Sequence, residues 1–99
     1  MHLDLEVYDS ETIEGTAEAI CQNTDYITMS SYLFEDWTAV DGDYETGDTY
    51  VQSYPLYGGC IEDQYWEIDT DLTIWWEGGG PDERYDGLAA YGCGEGLEE

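Results

Sequence analysis

The chain has 99 residues, 41% of them hydrophobic and 15% aromatic, and it sets 25 Asp or Glu against one basic side chain of the Lys/Arg type, Arg84, for a formal net charge of −24. That length gives one small domain with a modest core, and four Trp and ten Tyr supply too much apolar surface for a disordered acidic tail. Direct binding to nucleic acid and adsorption to an anionic membrane are excluded by like-charge repulsion.

His2 to Tyr8 alternates, with Leu3, Leu5 and Val7 on one side and Asp4, Glu6 and Tyr8 on the other, the period of a half-buried strand. Asp9 or Ser10 can cap a helix that follows. From Ile13 the apolar positions Ile13, Ala17, Ile20 and Cys21 recur at helical spacing, with Glu11, Glu14 and Glu18 opposite. Residues 23–37 fit two periods. Tyr26, Met29, Leu33 and Trp37 suit a helix face, whereas Ile27, Met29, Leu33 and Trp37 among β-branched and aromatic neighbours suit a strand; we read helix. Tyr50 to Tyr54 forms a strand that Pro55 ends, and Gly58-Gly59 marks a turn.

In QYWEIDTDLTIWWE, residues 64–77, Trp66, Ile68, Leu72, Ile74 and Trp76 share one parity, while Glu67, Asp69, Asp71, Thr73, Trp75 and Glu77 share the other. A hairpin turning at Asp69 to Asp71 and one long bent strand both satisfy this pattern, and both leave one apolar and one acidic face. Pro81 suits a first helical position, with Asp82 and Glu83 beside it and Gly92 as a stop after Tyr91. A tail over 96–99 is expected to fray. The expected class is therefore α+β: a single domain over 1–99 with a mostly antiparallel sheet and two to three helices.

No motif carries catalysis or a cofactor. AVDGDYETGD, residues 39–48, has the oxygen donors of a calcium loop at Asp41, Asp43 and Glu45. It has Thr46 where the turn needs glycine and Gln52 where the ion needs a bidentate carboxylate, so no EF-hand forms. GGGP precedes acidic residues and repels phosphate. Paired carboxylates beside Trp75 and Trp76 invite a glycosidase reading, but so small a domain leaves little room for a cleft that separates an acid from a base. Cys21, Cys60 and Cys93 are odd in number and lack CxxC spacing, and read as buried thiols of a reducing cytoplasm rather than a disulfide framework or a zinc site. The N-terminus has no basic segment leading into an apolar one, so we expect a cytoplasmic protein.

The charge itself is the functional signal. A compact domain of this length is about 32 Å across, and a DNA duplex of that length carries about 19 charges, whereas solubility needs a net charge of only about 2 to 8. Acids at alternate positions of an extended segment stand about 6.6 Å apart, near two axial rises of one DNA strand. Asp41, Asp43 and Glu45, then Glu67, Asp69 and Asp71, have that spacing. With Asp48, and with Tyr44 and Trp75 as aromatic anchors, they form the expected partner-binding surface.

In size, lack of basic residues, aromatic content and acid coverage, the whole chain resembles the DNA-mimic inhibitors of phages and mobile elements, including acidic anti-CRISPR and anti-restriction proteins. The resemblance lies in composition, not in a motif. It implies occupation of the basic nucleic-acid groove of a defence nuclease complex, a CRISPR effector foremost or a restriction enzyme, without catalysis, cofactor or metal. The competing reading is a cytoplasmic protein of an extreme halophile, and a third is a divalent-cation binder.

Overall fold

The computed structural model describes residues 1–9, 12–60, 62–93 and 97–98. Every regular element among them is a strand, so the α+β expectation is corrected to an all-β sandwich. One sheet contains β1 (His2–Asp9), β2 (Thr12–Ile20), β5 (Tyr50–Gln52) and β6 (Leu56–Gly59); β2 pairs with β1 on one side and with β5 and β6 in succession on the other. The larger sheet runs β4 (Thr38–Gly47), β3 (Thr24–Glu35), β7 (Gln64–Trp76), β8 (Gly79–Gly92) and β9 (Leu97–Glu98). All pairings are antiparallel.

The three expected helices fail for identifiable reasons. Ile13, Ala17 and Cys21 are four residues apart, an even number that a strand satisfies as well as a helix. The discriminating residue is Ile20, which a helix would bury and which is 68% exposed, while Ala19 is 1% exposed. In 23–37 the inward set is Ile27, Met29, Ser31 and Leu33. Ser31 broke the apolar alternation, and it is tolerated because its hydroxyl pairs with that of Thr70 on β7 at 3.1 Å, satisfying both buried groups. Pro81 lies where the β7–β8 register shifts, between the partners of Ile74 and Trp76, so its missing N–H costs no regular ladder bond. Asp9 belongs to β1, and Ser10, the other expected cap, lies outside the described residues. Of the tail expected to fray, Leu97 and Glu98 pair with Gly92 and Tyr91, and residues 96 and 99 lie outside the description.

β7 is one continuous strand of 13 residues, the long-strand alternative, with Trp66, Ile68, Thr70, Leu72 and Ile74 buried. The two sheets meet where side chains are missing. A Cβ on Gly58 would stand 2.6 Å from the Trp66 ring, and one on Gly15 would stand 3.2 Å from Ile68. Gly58 is thus a strand residue that admits the Trp66 indole, not a turn. Between β5 and β6, Ser53 takes over the pairing with β2, donating its N–H to the Ala17 carbonyl at 2.9 Å and accepting the Ala17 N–H on its hydroxyl at 3.0 Å.

Cys60, just after β6, and Cys93, just after β8, form a disulfide that ties the smaller sheet to the larger, with Cα atoms 5.5 Å apart, and Cys21 is free. The expectation of three thiols is corrected accordingly; two strand ends 33 positions apart in sequence meet across the sandwich, which spacing rules cannot reveal. The molecule is a rod, 49 × 20 × 19 Å, rather than a sphere. No helix among the described residues is long and apolar enough to cross a membrane.

Candidate functional site: the outer face of the larger sheet

Cross-strand partners in an antiparallel sheet point to the same side. Asp41, Asp43 and Glu45 pair with Leu33, Ser31 and Met29, whose side chains are buried, and therefore face inward from the edge strand β4. Asp43 accepts the Tyr54 N–H at 2.8 Å, and Asp41 accepts the Tyr57 N–H at 2.9 Å. These carboxylates stitch β4 to the β5–β6 segment of the other sheet. Glu45 is held above the usual carboxylate range by its contact with Asp43. Asp48 lies just beyond β4, is exposed, and its carbonyl accepts the Thr24 hydroxyl at 2.5 Å.

Glu67, Asp69 and Asp71 have the other orientation. Their partners on β3 are Phe34, Tyr32 and Ser30, and on β8 they are Ala89, Gly87 and Tyr85. The three acids form a column down the centre of the solvent side of the sheet, near 6.6 Å apart. Tyr44 joins this face, opposite Ser30, and is 60% exposed. Trp75 lies on the same side, half-buried, with its ring 5.5 Å from that of Tyr26. Of the nine residues expected to bind a partner, the structure thus brings together Tyr44, Glu67, Asp69, Asp71 and Trp75, and turns Asp41, Asp43 and Glu45 the other way.

Aromatic side chains flank the column. Tyr32 is 45% exposed and leans over Gly42, where a Cβ would come within 2.8 Å of its ring. Tyr85 is 63% exposed. At one end Trp37, 74% exposed, stacks on Tyr65 with centroids 4.6 Å apart. Asp36 and Trp37 form the two-residue β3–β4 turn, both with positive φ (45° and 72°), the conformation that matches the strand twist. The turn is pinned by the Asp36 N–H to the Tyr65 carbonyl at 2.8 Å and by the Tyr65 N–H to the Asp36 carboxylate at 3.0 Å.

The electrostatics centre on Glu67 and Asp69. One oxygen of Asp69, Oδ1, is buried without a hydrogen-bond partner among the described residues. Burial and the neighbouring Glu67 push the Asp69 carboxyl up to about 6. Glu67 is lowered by hydrogen bonding with Asp69 and with Tyr65, whose hydroxyl donates to it at 2.7 Å. The Tyr85 hydroxyl is pushed up to about 12 by local desolvation and by its hydrogen bond with Asp69, although the side chain as a whole is exposed. The pair therefore shares a proton that resides on Asp69 in mildly acidic solution.

Arg84 lies on the opposite side of β8, opposite buried Leu72, and pairs with Asp82 at 2.6 Å. No basic side chain among the described residues occupies the outer face. No group of three or more His, Cys, Asp or Glu among them is placed to hold a metal ion. The helical readings of 23–37 and 81–91 hide Tyr32, Phe34 and Tyr85, which in strand register fall opposite Asp69, Glu67 and Asp71, whereas Tyr65 shares the odd parity of the 64–77 strand pattern and could have been found there. No family model matches the chain, nor does any curated protein or solved structure.

Proposed function

We propose that the protein acts as a nucleic-acid mimic, an inhibitor that occupies the basic groove of a defence nuclease complex such as a CRISPR effector or restriction enzyme. The observation that carries this reading is the charge on the rod. A net of 24 negative charges over 49 Å gives one per about 2 Å of axis, against one per about 1.7 Å for duplex DNA. A groove that holds a duplex by lysine and arginine would be complemented along its length, with steered association and no chemistry. The outer face of the larger sheet is the proposed contact surface. The test is binding to a purified effector with and without nucleic acid loaded: the empty complex should bind the protein and the loaded one should not. Equal binding to both contradicts the reading, as does a complex with DNA alone in a mobility shift.

The Cys60–Cys93 disulfide favours a second reading, a salt-adapted domain of an oxidising compartment, since such bonds are rare in the cytosol. The two differ in their salt requirement. A salt-adapted domain needs molar salt to fold, whereas a mimic folds at physiological salt and loses its partner as salt rises.

A further inference from the structure

We propose that the outer face of the larger sheet selects arginine over lysine and receives an extended segment with arginines at alternate positions. The inference rests on the protein being a ligand of basic partners and specifies the chemistry of the contact. The acids Glu67, Asp69 and Asp71 repeat every second residue along β7, and an extended peptide presents its same-side residues at the same spacing, about 6.6 Å. A segment lying along β7 would set one guanidinium over each carboxylate without either backbone bending.

The flanking rings supply the selectivity. Tyr32 and Phe34 on β3 stand directly across from Asp69 and Glu67, and Tyr85 on β8 stands across from Asp71. Adjacent strands are about 4.8 Å apart, so a ring on β3 or β8 turned over the column comes within the ≈ 6 Å reach of a cation held there; the Tyr85 hydroxyl already reaches Asp69, and the Tyr32 ring, which rests over Gly42, would reach the column by a change of rotamer. A planar guanidinium can stack on such a ring while donating two hydrogen bonds to the acid; an ammonium is more strongly hydrated and cannot form the planar pair. A cleft of about 270 Å³ opens beside Glu67, lined also by Tyr85, Gly87, Leu88 and Ala89. It exists in part because Gly87 has no side chain opposite Asp69: a Cβ there would stand 3.0 Å from Oδ1 of that acid. No described basic side chain on this face neutralises the column, whose acids bond, among the described residues, only each other and the Tyr65 and Tyr85 hydroxyls.

Two nine-residue synthetic peptides test this, one alternating Arg and Ser and one alternating Lys and Ser, titrated by fluorescence anisotropy at physiological salt. Wild-type protein should bind the arginine peptide about tenfold more tightly, the combined effect of two exposed ring contacts. Tyr32→Leu with Tyr85→Leu leaves the net charge unchanged and should bring the two affinities within about twofold, with the lysine peptide unaffected. Tyr50→Leu with Tyr57→Leu, on the other sheet, should keep the wild-type preference. Circular dichroism checks that each variant folds, and Tyr85→Leu alone, at an exposed position, serves if the double variant does not. Equal affinities in wild type, or equal loss in the control pair, overturn the inference. Neither outcome bears on displacement of nucleic acid, so the mimic reading fails or survives separately.

Discussion

Asp69 shows how one residue can couple this surface to pH. Its carboxyl is raised to about 6 in the folded protein, above the ordinary value near 3.9 of an unfolded chain. Between those values the folded state binds more protons than the unfolded one, so this group makes stability fall as pH rises from about 4 to above 6. Asp69→Asn keeps an N–H for Glu67 and removes the titration. We predict that the variant is more stable than wild type at pH 8, by about 1 kcal/mol after allowance for partial solvent screening, and that the advantage shrinks at pH 4.5. Thermal melts across this range check it, with 1 kcal/mol corresponding to about 4–8 °C. A variant less stable than wild type at pH 8 would show that Asp69 is well accommodated as an anion.

Single residues also separate structural acids from available ones. Asp41→Ala and Asp43→Ala each strip a carboxylate from a backbone N–H that bridges the sheets, and should each cost about 1 to 2 kcal/mol. Asp71→Asn, at an exposed position, should stay within ~0.5 kcal/mol. Denaturant melts compare the three, and equal values would remove the distinction between the two sides of the sheet.

Among the elements, β7 was the most legible in the sequence. Its parity and its division into apolar and acidic sides follow from residues 64–77 alone, because every odd position there is polar or aromatic and the even ones are apolar apart from Gln64 and Thr70. β3 was not legible in the same way: the buried Ser31 is explained only by Thr70, 39 positions away. β2 was hidden by four-residue spacing, and β8 by a proline and glycines that serve a register shift and a cleft rather than a helix. The candidate surface was half visible. Alternate acids on 41–45 and 67–71 were found, but whether two strands face the same way depends on their pairing to β3, which no local pattern contains. Where β6 meets β7, Gly58→Ala should cost about 1 to 3 kcal/mol, since the new methyl enters the Trp66 ring; Gly59→Ala, with open space at that position, should be nearly neutral. A chemical-denaturation pair settles whether the indole fixes the sandwich spacing.

At the scale of the whole molecule, self-repulsion among 24 net charges opposes folding, and the Cys60–Cys93 bond offsets part of it by restricting the unfolded chain. Reduction should destabilise the protein by about 2 to 4 kcal/mol, and added salt should raise the melting temperature of oxidised and reduced forms alike by screening the charge.

On the proposed function, the rod's charge stands in for that of a duplex. The most direct measurement is displacement: unlabelled protein titrated into preformed complexes of a fluorescent duplex with purified CRISPR effectors and restriction enzymes, followed by anisotropy at about 50 and about 200 mM salt. Stoichiometric release of the duplex from at least one complex is expected, with weaker displacement at the higher salt. Release should be lost in Glu67→Lys with Asp71→Lys but not in Glu14→Lys with Glu18→Lys. Retention of the duplex in every complex, by protein shown to be folded under the same conditions, would contradict the proposed function.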